Sequence, residues 1–151
     1  MARILIVDDE ELARFTVREI LHSNGHETVE AESVVAAFGK INEQSFDMVV
    51  TDLILSQNVI DEDVLMPEKE SIEAIIEIKQ RFPKTKVIAI SGGGKMTPTE
   101  FHDIARKFGG LNLAKKHGAD AIIAKPFSAA ELLSRVNGLL EEGNEKPANF
   151  E

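Results

Sequence analysis

The chain has 151 residues, 43% hydrophobic and 28% charged, which suits one globular domain with its own core and leaves no room for a second of ordinary size. Its 17 basic against 26 acidic residues give a net charge of −9, so phosphate backbones repel it, and no run of Lys and Arg offers a face for direct nucleic-acid binding. Lack of cysteine excludes disulfides and thiolate metal sites, and no apolar stretch is long enough for a signal-peptide core or a membrane span, so the expectation is cytoplasmic, without membrane insertion.

Short aliphatic runs alternate with helical patterns from end to end. Ile4–Val7 reads as the first strand. Ala13, Val17, Ile20 and Leu21 follow at helical spacing, and Asn24-Gly25 ends that helix. Glu27–Glu30 is the second strand candidate, with Val34, Ala37, Phe38 and Ile41 as the next helical stripe. Met48–Thr51 is the third strand; Ile72, Ile75 and Ile76, with Lys79 as a further candidate for the same face, mark a third helix that Pro83 closes. Lys86–Ile90 is the fourth strand. Thr97-Pro98-Thr99-Glu100 is a capping box with proline at the first helical position, ahead of Phe101, Ile104, Ala105 and Phe108. Ala121–Ile123 is the fifth strand, and a second capping box, Ser128-Ala129-Ala130-Glu131, precedes Leu132, Val136, Leu139 and Leu140. The pattern stops at Glu141, which gives a domain over residues 1–142 and a short acidic tail over 143–151.

Ile4–Val7, Met48–Val50 and Val87–Ile90 are continuously apolar, as strands buried on both faces of a parallel sheet should be. The alternation predicts an α/β fold: a five-stranded parallel sheet with helices on both faces and right-handed crossovers. In such open sheets the site lies beyond the carboxyl ends of the strands.

Those ends carry the chemistry. The first strand runs into Asp8-Asp9, the third into Thr51-Asp52, the fourth into Ser91-Gly92-Gly93-Gly94 and the fifth into Lys125-Pro126-Phe127. The fold would gather three carboxylates, a hydroxyl and an ammonium in one crevice. Close carboxylates repel unless a cation intervenes, and an oxygen-only ligand set favours Mg²⁺, with Mn²⁺ as an alternative. A nucleophilic carboxylate, a metal, a cation and a hydrogen-bond donor are what phosphoryl transfer to a carboxylate needs. Met singly, an Asp-Asp pair is usually a solvated loop, Lys-Pro a turn and a glycine run a flexible loop. Their shared position at strand ends favours the chemical reading.

The segments Ile4–Glu10, Phe46–Leu53, Val87–Gly92 and Gly118–Phe127 resemble the receiver domain of two-component response regulators along nearly the whole chain. The resemblance implies the flavodoxin-like strand order 2-1-3-4-5. It also implies Asp52 as phosphoacceptor, Asp9 as a direct Mg²⁺ ligand, Asp8 acting mainly through water and the backbone carbonyl of Ile54 as a further ligand. Ser91 would turn toward the phosphoryl group, Lys125 would pair with it, and the Lys125-Pro126 bond would be cis. The implied protein is a stand-alone phospho-accepting signalling protein, not an enzyme beyond Mg²⁺-dependent self-phosphorylation and autodephosphorylation. Its phosphodonor would be a sensor histidine kinase or a histidine phosphotransfer protein, and it would act on a downstream target by protein contact.

Three departures from that pattern stand out. Receivers place Met-Pro three residues after the acceptor, whereas here Met66-Pro67 comes much later, so residues 56–66 are extra. Asp63 also fits the spacing to Met66-Pro67, but Ile60-Asp61-Glu62 cannot form a buried strand and Met48-Val49-Val50 can. The insert would bring Asp61, Glu62 and Asp63 near the site entrance. A second insertion lies between Ser91 and Lys125, lengthening the fourth helix with Gly109-Gly110 as a break and remodelling the family's usual output surface. The third departure is Ile122, where many receivers carry an aromatic switch residue; a branched aliphatic cannot swing as a ring does.

Other readings are weaker. A haloacid-dehalogenase-like phosphotransferase would need an acid two residues after its nucleophile, where Ile54 stands. Ser91-Gly92-Gly93-Gly94-Lys95-Met96 lacks the P-loop spacing. A degenerate receiver acting only as a phosphorylation-independent binding module stays open. His22, His26, His102 and His117 look like scattered surface residues without a role.

Overall fold

The apolar runs form the middle of one sheet. The structure, a computed structural model, describes residues 1–52, 69–91 and 118–144. Its strands are β1 (Arg3–Val7), β2 (Glu27–Ala31), β3 (Met48–Asp52), β4 (Lys86–Ser91) and β5 (Ala121–Ala124). Its described helices are α1 (Glu11–Ser23), α2 (Val34–Glu43), α3 (Lys69–Arg81) and α4 (Ala129–Asn144). The strands lie in the order β2-β1-β3-β4-β5 and every neighbouring pair is parallel. This is the flavodoxin-like strand order.

Alternation along each strand sends side chains to two separate cores. Leu5, Val7, Val49, Val87 and Ala89 pack with Ala37 and Ile41 of α2 and Ile75, Ile76 and Ile78 of α3. Ile4, Ile6, Met48, Val50, Ile88, Ile90 and Ile123 pack on the opposite face with Val17 and Leu21 of α1 and Leu132, Val136 and Leu139 of α4. The sheet is therefore the middle of three layers, and β1, β3 and β4 are buried on both sides as their continuous apolarity requires.

The ladder carries the strands a residue past their apolar runs. Asp52 is drawn into β3 by pairing with Ile90, and Ser91 into β4 by pairing with Ala124. Two functional candidates thus sit on the sheet, where neighbouring strands fix their backbones.

Local capping sets the helix ends. At the end of α1, Gly25 N–H donates to His22 O and His26 N–H to Leu21 O, the paired closure of a Schellman motif, with Gly25 at φ +84° where a side chain would be strained. Ser33 caps α2 through Ala36 N–H, and Ser128 caps α4 through Glu131 N–H at 3.0 Å. Helix α4 runs on to Asn144, so its last turn takes in the start of the expected tail. Glu141 and Glu142 are good helix formers, and propagation of a helix already begun needs no inward-facing apolar residue.

Lys79 is buried on the core-facing side of α3. Its ammonium donates to Asp120 at 3.0 Å and to the carbonyls of Thr85 and Pro83. Asp120 also accepts Val87 N–H at 2.8 Å, joining α3 to the starts of β4 and β5. His26 corrects the reading of the histidines as surface residues: it is buried, and its Nδ1 accepts Ala2 N–H at 3.2 Å. The extra residues 56–66 with Asp61, Glu62 and Asp63, the fourth helix with Gly109-Gly110, and tail residues 145–151 lie outside the described residues.

Candidate functional site

The carboxyl ends of β1 and β3 adjoin in the sheet, with Val7 opposite Thr51. The next residues, Asp8 and Asp9 on one side and Asp52 on the other, therefore converge. Carboxylate oxygens of Asp8, Asp9 and Asp52 lie within 4.8 Å of one another, with Asp8 and Asp52 buried and Asp9 exposed. Three hard anionic oxygens at this separation fit one hard divalent cation with room for waters, as Mg²⁺ prefers.

Three of the four polar atoms of Asp8 are hydrogen-bonded. Its N–H donates to Ala31 O, its carbonyl accepts Arg14 Nη1–H at 2.7 Å, and its Oδ1 accepts Glu10 N–H at 2.9 Å. Lys125 Nζ stands 3.9 Å from Oδ2. Burial pushes the Asp8 carboxyl above its ordinary value of 3.8; the Glu10 N–H and the Lys125 charge pull it down, while Asp9 and Glu10 push it up, and the net shift is upward. A buried acid that resists ionisation beside two others is an invitation to a cation.

Lys125 follows β5 and its side chain is 30% exposed, so it reaches the cluster from the solvent side. The Lys125-Pro126 bond is cis. An open groove of about 550 Å³, bordered by Leu12, Ala13, Thr16, Ile90 and Phe127, runs from Asp8 and Lys125 between α1 and the β5–α4 turn. Ser91 ends β4, one strand from Asp52, while the roles expected of its side chain and of the Ile54 carbonyl lie outside what is described. Ile122 is half-buried and packs on the α2–α3 core, apart from the acid cluster.

The residues that sequence reasoning missed are Arg14, Arg18 and Glu30. Glu30, on the edge strand β2, accepts Arg14 Nε–H at 3.0 Å and Arg18 Nη1–H at 2.7 Å. Burial pushes its carboxyl up, but the hydrogen bonds and charges of Arg18 and Arg14 outweigh this and hold it below 4.5. The one signal in the sequence was two arginines four apart on α1; their common partner lies on another element.

Among the described residues no helix is long and apolar enough to cross a membrane. Residues 4–137 match the family model of the response regulator receiver domain. The chain is 34% identical over 139 residues to the chemotaxis protein CheY of Bacillus subtilis (strain 168), covering 91% of this chain and 97% of that protein. It is 28% identical over 151 residues to the response regulator MprA of Mycobacterium sp. (strain KMS), covering 97% of this chain but 56% of that protein. Among solved structures, the receiver domain of NtrX from Brucella abortus superposes with a TM-score of 0.67 at 31% identity, covering 91% of this chain and 98% of that one. These matches run through both acid-bearing strand ends and the lysine turn, and this chain belongs to the response regulator receiver domain family, the phospho-accepting proteins of two-component signalling.

Proposed function

We propose that the chain accepts a phosphoryl group on Asp52 and signals by protein contact. The observation that carries this is the convergence of Asp8, Asp9 and Asp52 at the carboxyl end of the sheet. Asp52 is the nucleophile because it lies on β3 itself, where pairing with β4 fixes its backbone and sets its carboxylate beside those of Asp8 and Asp9. One Asp52 oxygen attacks phosphorus; the bond from phosphorus to the donor's histidine nitrogen breaks, and that nitrogen keeps the electron pair and takes a proton from solvent. Asp9 directly, and Asp8 mainly through water, would hold Mg²⁺ (or Mn²⁺) together with Asp52 and the Ile54 carbonyl; when bound, the ion would supply charge neutralisation for the incoming phosphoryl oxygens. Lys125, only loosely engaged with Asp8, is available to pair with the phosphoryl group. Ser91, at the end of β4, donates a hydrogen bond to it.

The phosphodonor is a sensor histidine kinase or a histidine phosphotransfer protein, and the groove beside Asp8 and Lys125 offers it an apolar approach. A stand-alone mode of action is supported by the match to nearly the full length of the Bacillus chemotaxis protein. Reversal is hydrolysis of the aspartyl phosphate by water. Incubation with acetyl phosphate and Mg²⁺, followed by intact-mass measurement, tests this reading. One added phosphate is expected on the wild type and none on Asp52→Asn or without divalent cation. An unmodified wild type, or equal labelling of Asp52→Asn, contradicts it.

A further inference from the structure

We propose that Arg14 is a positioning residue for the acid cluster, holding the Asp8 main chain where a divalent cation needs it; this rests on the receiver reading of Asp8, Asp9 and Asp52. Arg14 Nη1 donates to Asp8 O at 2.7 Å while its Nε donates to Glu30 Oε1 at 3.0 Å. The same guanidinium therefore joins the turn after β1 to the edge strand β2. The backbone of Arg14 grips that turn as well, its N–H donating to Glu10 O at 3.1 Å. With Asp8 N–H on Ala31 O and Glu10 N–H on Asp8 Oδ1, the turn carrying two of the three acids is held from both sides.

The need for such a hold follows from the charges. Three carboxylates within 4.8 Å repel in the metal-free protein, and the turn bearing two of them is the element that repulsion would open. A charge-assisted bond from a guanidinium to a carbonyl is stronger than a neutral one, and here the guanidinium is already anchored by Glu30. Orienting it therefore costs little further side-chain entropy. Arg18 separates two effects that would otherwise be confounded. It shares Glu30 with Arg14, at 2.7 Å, and sits on the same helix, but its recorded bonds go to Glu30 and Glu19 and not to Asp8. If only the charge around Glu30 mattered, the two arginines would be interchangeable. If the carbonyl tether matters, only Arg14 of the two affects cation affinity.

The test is Mn²⁺ binding to full-length protein, read from the paramagnetic resonance signal of the free ion, beside urea unfolding without metal. Wild type, Arg14→Met, Arg14→Lys and Arg18→Met are compared. Arg14→Met is expected to weaken Mn²⁺ binding about tenfold, the scale found when groups that orient metal ligands are removed. Arg18→Met should stay within about twofold of wild type while losing comparable stability, and Arg14→Lys should fall between, because one ammonium cannot hold both acceptors in a fork. Wild-type affinity in Arg14→Met, or equal loss in Arg14→Met and Arg18→Met, overturns the proposal. Should Arg14→Met not fold, Arg14→Lys binding as tightly as Arg18→Met overturns it equally. A wild type that binds no Mn²⁺ removes the receiver reading itself and the proposal with it, a result distinct from any difference among variants.

Discussion

Two buried charged sites lie at opposite ends of the same sheet, and the fold treats them in opposite ways. At the amino ends of β4 and β5, Lys79 and Asp120 neutralise each other, and the remaining hydrogen-bonding capacity goes to the Thr85 and Pro83 carbonyls and the Val87 N–H. At the carboxyl ends, Asp8 is buried beside Asp9 and Asp52, and the Lys125 ammonium stands 3.9 Å from it. Both arrangements bury ions. In the first a carboxylate and an ammonium are matched one to one; in the second three carboxylates are gathered within 4.8 Å of one another. The difference separates a structural ion pair from a binding site more surely than burial alone.

The comparison can be broken first at the structural end. Lys79→Met leaves Asp120 partly buried without its counter-charge and should cost about 3 kcal/mol in urea unfolding, toward the low end for a buried pair because Asp120 keeps some solvent and the Val87 N–H. Adding Asp120→Asn, which keeps an acceptor for Val87, should recover part of that loss. A cost near zero for Lys79→Met would make the two sites energetically alike.

The functional end predicts the reverse sign. The Asp8 carboxyl is raised above 3.8 in the folded chain, so the folded state takes up its proton more readily than the unfolded chain does. Its ionised form therefore destabilises the metal-free fold at neutral pH, and this penalty fades as pH falls through the folded pKa toward 3.8. Asp8→Asn should raise the melting temperature of metal-free protein at pH 7 while weakening Mn²⁺ binding. Melting without metal and Mn²⁺ titration check the pair of effects; a lower melting temperature would show that Asp8 is structural.

Glu30 sharpens the contrast within the same region. Its carboxyl is held below 4.5, so its stabilising contribution is complete above that value and is lost as pH falls through the lowered one. Acid unfolding of Glu30→Gln should therefore show a shallower decline below about pH 4.5 than wild type, opposite to the change in Asp8→Asn. The smallest effect belongs to Ser128, close to the site but purely a helix cap. Ser128→Ala should cost about 1 kcal/mol in urea unfolding and leave Mn²⁺ affinity unchanged.

Much of this molecule was legible before the fold was known, for physical reasons that can be located. Strands buried on both faces must be continuously apolar, so Ile4–Val7, Met48–Val50 and Val87–Ile90 declared themselves, and the acids at their ends followed from chain order alone. Gly25 announced the end of α1, because a Schellman closure favours the left-handed conformation that glycine adopts freely. Lys79 fell on the inward stripe of its helix, but its partner Asp120 is 41 residues away and no local pattern links them. The Arg14–Glu30–Arg18 group was invisible for the same cause: its members meet only because β2 lies beside β1. The expected ends of β3 and β4 were each short by a residue, since the ladder, not hydrophobicity, draws in Asp52 and Ser91.

The central claim concerns Asp52, and chemical trapping tests it most directly. Protein treated with acetyl phosphate and Mg²⁺ is reduced with borohydride, which converts an aspartyl phosphate to homoserine, then digested and sequenced by mass spectrometry. Homoserine at position 52, dependent on both phosphodonor and divalent cation, is the predicted result. Homoserine at Asp8, Asp9 or Asp63 in its place, or none anywhere, would contradict the assignment.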